Sequence, residues 1–93
     1  MNLRFEWHDG KAATNWRRHG ISFEEAVTIF GDPLSRTITD ERHSNLRETR
    51  LITLGMSFRG RLLVVVHLEK GSRIRLISAR RATPHERRDY END

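Results

Sequence analysis

Three apolar segments in the second half of the chain follow one another so closely that only tight turns fit between them. They span residues 49–57, 61–68 and 73–79, and the turns carry Gly60 and Gly71. Spacing this short favours an antiparallel meander. The middle segment is apolar at every position from 62 to 66, so both of its faces are expected to be buried. It is therefore predicted to be the central strand of a sheet.

The first third of the chain predicts a short strand and two helices. Residues 3–7 alternate between apolar and charged, as a half-buried strand does, and Asp9 is in position to cap a helix over 10–19. Ser22 and Glu25 have the spacing of a capping box, in which each side chain accepts a hydrogen bond from the other residue's backbone amide. The apolar stripe of this second helix is Phe23, Ala26, Val27 and Phe30.

The remaining elements are shorter. Residues 34–38 alternate weakly, as in a strand, and residues 41–46 are predicted to be a polar loop. The motif Thr83-Pro-His-Glu86 opens a final short helix, with threonine as N-cap and glutamate at the third helical position. The element order predicts an α+β fold, with two N-terminal helices packed on a curved antiparallel sheet and a short C-terminal helix. At 93 residues, the chain has the length of one domain, 1–93.

Charge is unevenly distributed along the chain. The net charge is +4, but residues 50–88 alone carry ten basic and two acidic groups, and the rest of the chain carries −4. Fifteen of the 17 basic residues are arginine, the side chain best suited to bidentate phosphate binding. The C-terminal half is therefore expected to bind an anionic partner.

Composition excludes several classes of site and location. The chain has no cysteine, which excludes disulfides, thiolate catalysis and iron–sulfur clusters. No two of the five histidines have metal-ligand spacing on one predicted element, so no metal site and no cofactor are expected. The longest apolar run, 62–66, is far too short for a membrane span, and the first residues do not resemble a signal peptide. We expect a soluble, cytoplasmic protein that does not contact membranes.

Histidines and arginines are the candidate catalytic residues, and each has a structural alternative. His19 follows Arg18 at the end of the first predicted helix. Positive charges there complement the helix dipole, which is the structural alternative. The functional alternative is that His19 acts as a general base or that Arg18 contacts a phosphate. His67 lies on the predicted central strand, as either a hydrogen-bonded core residue or a catalyst. Arg50 lies two residues from Glu48, as either a structural ion pair or an active-site pair.

Arginines also crowd the last strand and the last helix. Arg73 and Arg75 share one face by the two-residue period of a strand. By the same alternation Arg80 belongs to the opposite face, at the strand end, where it could reach the mouth of a site. Arg81 and Arg87 follow it, on what is either a solvated surface or an anion-binding one.

Taken together in their order and spacing, these residues resemble the BrnT family of toxins over about residues 4–91. Each short string is weak by itself. Two departures are visible: His8 stands where the family often has Asp, and Arg18 stands where it usually has Lys. The strings that carry the resemblance are Phe5-Glu-Trp7, Lys11-Ala-Ala13, Asn15, His19-Gly20, Ser22-Phe-Glu-Glu-Ala26, Phe30, Asp32-Pro33, Arg42-His-Ser44, Glu48, Arg50, Ile52, Gly55, Gly60-Arg-Leu-Leu-Val-Val-Val66, Ile74-Arg-Leu-Ile-Ser-Ala-Arg80, Ala82, Glu86-Arg87 and Tyr90-Glu91.

The resemblance implies a ribonuclease toxin of a type II toxin–antitoxin system, with a fold similar to the RelE/ParE group. It implies metal-independent RNA cleavage by attack of the ribose 2′-hydroxyl. On this hypothesis His19 is the first candidate for proton transfer and His67 the second. Arg50 and Arg80 are the first candidates to bind the phosphate, with Arg18 third. Further RNA contacts are expected from Arg73, Arg75, Arg81 and Arg87.

The implied partner is a BrnA-like antitoxin with a ribbon-helix-helix region, expected in a 2:2 hetero-oligomer with the toxin. Operator DNA would be bound only through that antitoxin. Two alternatives remain open from the residues alone. The chain could be a non-catalytic basic module that binds nucleic acid or protein, or a topoisomerase poison similar to ParE.

Overall fold

The fold is α+β, built on one five-stranded sheet with helices at both ends of the chain. The computed structural model describes residues 3–45 and 48–92; Leu46, the end of the predicted polar loop, lies outside them. The strands are β1 (Arg4–Glu6), β2 (Arg36–Thr39), β3 (Thr49–Met56), β4 (Leu62–Lys70) and β5 (Arg73–Arg81). The α-helices are α1 (Asp9–His19), α2 (Phe23–Val27) and α3 (Pro84–Glu91), and 3₁₀ turns form at Thr28–Gly31 and Glu41–His43.

The strand order is β1-β5-β4-β3-β2, which confirms the prediction that the middle segment is the central strand. Strands β2 to β5 are antiparallel, and Gly60 and Gly71 adopt the positive φ angles of 75° and 62° that their tight turns require. The expectation of a wholly antiparallel sheet is wrong, because β1 pairs in parallel with β5. Alternation over a few residues shows that a strand forms but carries no information about the direction of its partner.

One face of the sheet, the core face, is covered by α1, α2 and the 3₁₀ turn that follows α2. Phe5 and Trp7, predicted to share a face of the first strand, both pack against this core. The second predicted helix is split: α2 ends at Val27, and a 3₁₀ turn continues to Gly31. The core cluster comprises Ile21, Phe23, Ala26, Ile29, Leu63, Val65, Ile74, Leu76 and Ala79.

The register between β4 and β5 shifts by one residue at Val66 and His67. Before the shift Leu76 lies opposite His67, and after it Ala79 lies opposite Val65, so both contact the core. The extra residue reverses the alternation, because a strand's side chains change faces at every position. Arg80 therefore lies opposite Val64 on the other face, the same face as Arg75, and the predicted parity of Arg80 is wrong.

The other face, which we call the open face, carries Arg36, Ile52, Val64, Arg75 and Arg80 and is partly covered by α3. Helix α3 begins with the complete capping box predicted for Thr83 and Glu86. Near its C-terminus the Tyr90 hydroxyl donates to the Asp32 carboxylate at 2.6 Å, which raises the pKa of Tyr90 to about 12. No helix in the described ranges is long and apolar enough to cross a membrane.

The caps of the first two helices differ in part from the prediction. Helix α1 begins at Asp9, and the preceding residue is its N-cap; Asp9 lies in the first turn, where its charge complements the helix dipole. Ser22 accepts a hydrogen bond from the Glu25 amide as predicted. The Glu25 carboxylate, however, does not return to Ser22: it is buried and accepts hydrogen bonds from Arg61 and Ser57. The Arg61 guanidinium lowers the pKa of Glu25, so this buried pair ties α2 to the turn before β4.

Candidate active site

A groove of about 750 Å³, which we call the α1 groove, runs between helix α1 and the exposed edge of β5. Its floor is formed by Ile77 and Ser78, where β5 extends beyond the three residues that β1 covers. The polar side chains that line its wall are His8, Lys11, Thr14, Asn15, Arg18 and His19.

The sequence places these side chains on one wall because their spacing matches the helical period. His8, Lys11 and Asn15 are three and four residues apart, and Arg18 follows three residues later, so all four lie on one side of α1. Gly20, with a φ of 67°, ends the helix directly after His19. The last turn of α1 therefore sets His19 at one end of the wall.

Asn15 fixes α1 against β5. Its side-chain amide donates to the carbonyls of Ala79 and Ile21 at 2.9 and 3.0 Å, and its carbonyl accepts from the Ala79 amide at 3.0 Å. Asn15 is only 4% exposed, so these bonds satisfy backbone groups that water does not reach. The side chain thus takes the place of a neighbouring strand at this point of the β5 edge. This bonding determines how the wall of the groove faces its floor.

The α1 groove has an electropositive lining. Lys11 and Arg18 are exposed, and none of the Asp and Glu residues that the structure describes lines the groove. Within residues 3–45 and 48–92, neither cation forms an ion pair, and neither do His8 and His19. The cations fall at both ends of the wall, His8 with Lys11 near the start of α1 and His19 with Arg18 at its end. An imidazole next to an unneutralised cation can move a proton and stabilise a phosphate that gains negative charge.

His67, the second candidate for proton transfer, is a core residue in this structure. It is 1% exposed, its Nε2 lies 2.7 Å from the Thr53 hydroxyl, and its ring stands edge-on to Phe30 at 5.0 Å. Burial lowers the pKa of His67 to about 4. The neutral ring therefore contacts the protein interior and does not line the α1 groove.

Arg50 and Arg80, the first candidates to bind phosphate, lie on the open face and are not brought together with His19. Arg80 donates two hydrogen bonds to the Glu86 carboxylate at 2.8 and 2.9 Å, which lowers the pKa of Glu86 to about 2. Arg50 lies 3.7 Å from the carboxylate of Asp40, so the predicted pairing with Glu48 is not the one formed. Both guanidinium groups already face an anion of the protein itself.

The four arginines predicted to contact RNA are separated in the fold. Arg73 and Arg75 are neighbours on the open face, and Arg75 lies 3.6 Å from Glu6. Arg81 is exposed at the end of β5, and Arg87 lies 3.8 Å from Glu91 on α3. They do not form one surface.

Sequence reasoning missed His8 and Lys11. The signal was available, since polar residues recur along α1 at positions 8, 11, 15 and 18, the spacing of one helix face. That stripe indicates a polar wall, but not that an open strand edge would face it. In the described part of the chain, no three His, Asp or Glu side chains converge on a point that could hold a metal ion.

Two comparisons with known proteins bear on this site. A family model described as the ribonuclease toxin BrnT of type II toxin–antitoxin systems matches residues 7–86. The fold is similar to the 1.1 Å crystal structure of the Brucella abortus ribonuclease toxin BrnT, with a TM-score of 0.66 and 20% identity. That match covers 88% of this chain and 99% of the Brucella chain. No curated protein sequence matches the chain.

Burial of His67 predicts an acid-sensitive fold. Because its pKa falls from 6.5 to about 4 on folding, the unfolded chain binds the extra proton between these pH values. The contribution of His67 to the free energy of unfolding is therefore complete above pH 6.5. Below that pH it should decline by up to about 1.4 kcal/mol per pH unit. Urea unfolding at pH 7, 6 and 5 measures this slope, and His67→Gln should be less stable at pH 7 but lack the slope. An equal slope in both proteins would assign the acid sensitivity to other groups.

Proposed function

Since the chain belongs to the BrnT family of ribonuclease toxins of type II toxin–antitoxin systems, we propose that it cleaves RNA in the α1 groove without a metal ion. The observation that carries this proposal is the lining of the groove. His8 and His19 share it with Lys11 and Arg18, and no carboxylate within 3–45 or 48–92 lines it to neutralise them. Proton transfer and charge stabilisation, the two requirements of phosphodiester cleavage, can then both come from side chains.

The reaction we propose is attack by the ribose 2′-hydroxyl on the adjacent phosphorus. A general base removes the 2′-hydroxyl proton, the 2′-oxygen bonds to phosphorus, and the bond to the 5′-oxygen breaks. A general acid gives that oxygen a proton, so the products are a 2′,3′-cyclic phosphate and a free 5′-hydroxyl. Histidine is the side chain whose ordinary pKa lies closest to neutrality. We assign His19, beside Arg18 at one end of the groove, as the base. His8 lies at the other end of α1, about 16 Å away along the helix axis, so we take water as the acid that protonates the leaving oxygen.

Lys11 and Arg18 would bind the phosphate oxygens as negative charge develops on them. The planar guanidinium of Arg18 can hold two oxygens at once, whereas the Lys11 ammonium acts as a point charge. The proposal leaves His67, Arg50 and Arg80 outside the catalytic set. His67 is buried in the core, and the two arginines face Asp40 and Glu86 on the open face.

Cleavage by this route should leave a chemical signature on the RNA. Purified protein incubated with RNA in EDTA should give fragments that end in 2′,3′-cyclic phosphate and begin with 5′-hydroxyl. Chelation should not reduce the rate, because no step uses a metal. Loss of cleavage in EDTA that a divalent ion restores would refute the mechanism. Intact RNA under all conditions would instead favour a non-catalytic binding module or a topoisomerase poison similar to ParE.

Replacement of His19 should separate catalysis from folding. His19→Gln removes the proposed base at an exposed position, so cleavage should fall by about 10²–10⁴-fold with no change in melting temperature. His85→Gln is the matched control, since His85 is exposed on α3, far along the chain from the groove. Equal rates for His19→Gln and the control would remove His19 from the site.

A type II toxin also has an antitoxin. We propose a BrnA-like antitoxin with a ribbon-helix-helix region, which would carry the complex to operator DNA, with both proteins acting in the cytoplasm. Because ribbon-helix-helix regions pair two chains, the complex should contain two toxins and two antitoxins. The mass of the co-purified complex, measured by light scattering after gel filtration, tests this: a 1:1 mass would contradict it.

A further inference from the structure

Three cations lie side by side across one end of the open face. In the sheet register Arg73 is directly opposite Arg4 on β1 and directly opposite Lys70 on β4. All three side chains are exposed, and none forms an ion pair with any residue in 3–45 or 48–92. Like charges directly opposite one another destabilise a sheet. We call these three residues the cation row.

Surface hollows connect the cation row to the α1 groove. A hollow of about 180 Å³ is lined by Glu6, Trp7, His8 and Arg75, and it shares His8 with the α1 groove. A second hollow of about 170 Å³ shares Glu6 and Arg75 with the first and reaches Lys70 and Arg73. The depression therefore continues from the groove, past the end of β1, to Lys70 and Arg73 of the cation row. From Ser78 in the floor of the groove to Arg73, the depression spans about five residues of β5, or about 16 Å.

We propose that this depression holds single-stranded RNA that flanks the bond being cut, and that the cation row binds its phosphates. The inference rests on the proposed function of the α1 groove and adds a substrate requirement: a strand long enough to reach the row. Cations that destabilise the sheet by mutual repulsion become favourable once phosphates lie between them.

Other groups along the depression suit an unpaired strand rather than a duplex. Trp7 packs against the core with its indole edge-on to Phe23, but it is only partly buried and also lines the connecting hollow. Aromatic rings stack on exposed bases. Glu48 and Glu69 line the second hollow beside Lys70, and carboxylates accept hydrogen bonds from the exocyclic amino groups of bases. Each hollow has about the size of a single base or phosphate group.

Cleavage of a long and a short substrate tests the role of the cation row. The substrates are a trinucleotide and a 12-nucleotide RNA with the same bond at its centre. For Arg73→Ser, kcat/KM on the long RNA should fall about tenfold, mostly through KM, while the trinucleotide is cut as by wild type. Arg73→Lys should keep most of the affinity because the charge remains. Arg88→Ser, which removes an exposed arginine from α3, should behave as wild type.

Three outcomes would overturn the proposal. An equal loss on both substrates would mean that Arg73 acts through the fold, and no loss on either would mean that RNA does not reach the row. Weaker antitoxin binding with unchanged cleavage would assign the row to a protein partner. Because mutual repulsion is relieved, the melting temperature of Arg73→Ser should equal or exceed that of wild type.

A binding measurement separates this inference from the proposed function. A 12-nucleotide RNA with 2′-O-methyl groups lacks the attacking hydroxyl, so it reports binding alone. Its affinity should fall with salt concentration, and Arg73→Ser should reduce the slope of log K against log[salt] by about 0.7, the loss of one single-strand phosphate contact. If this holds while no RNA is ever cut, the RNA path stands and the catalytic proposal fails. A slope unchanged by Arg73→Ser would refute the path even if cleavage in the groove is confirmed.

Discussion

The arrangement of the molecule depends on the edge of strand β5, which a neighbouring strand covers only in part. Strand β1 pairs with only three of the nine residues of β5, which leaves the backbone beyond Arg75 without a strand on that side. Unpaired backbone groups at a sheet edge must find other partners. Asn15 supplies them for Ala79, with three hydrogen bonds that also engage Ile21. Helix α1 therefore lies along the edge without closing it, and the space that remains is the α1 groove.

The bulge opposite His67 acts on the same strand. By adding one residue to β5, it keeps Ile74, Leu76 and Ala79 all in the core although their spacing is two and then three. Without the bulge Ala79 would face away from the core. The backbone groups of Ala79 would then no longer be presented to Asn15, because the register of a strand determines which backbone groups its edge presents. The register shift and the asparagine together determine where the groove forms.

Local patterns in the sequence predicted the elements, and long-range pairing decided the rest. The turns at Gly60 and Gly71 and the apolar middle strand identify the meander, and Thr83 with Glu86 identifies the start of α3, because the residues that interact are close in the sequence. The parallel pairing of β1 with β5 joins residues nearly 70 positions apart, and the contact between Asn15 and Ala79 spans 64. No alternation or capping pattern records such a pair. His19 and Arg18 were identifiable as candidates, but the open edge of β5 that His8 and Lys11 also face was not.

Net charge along the chain is an incomplete guide to where an anion can bind, because it counts cations that the protein has already neutralised. Residues 50–88 carry the excess of arginine, yet Arg61 faces the buried Glu25 and Arg80 faces Glu86. A guanidinium bonded to a carboxylate must lose that partner before it can bind a phosphate, at a cost that a free cation does not have. Lys11 and Arg18 lie outside that segment and have no such partner in the described ranges. Anion binding therefore follows from which cations remain unpaired after folding, and their number in the sequence is a poor guide to it.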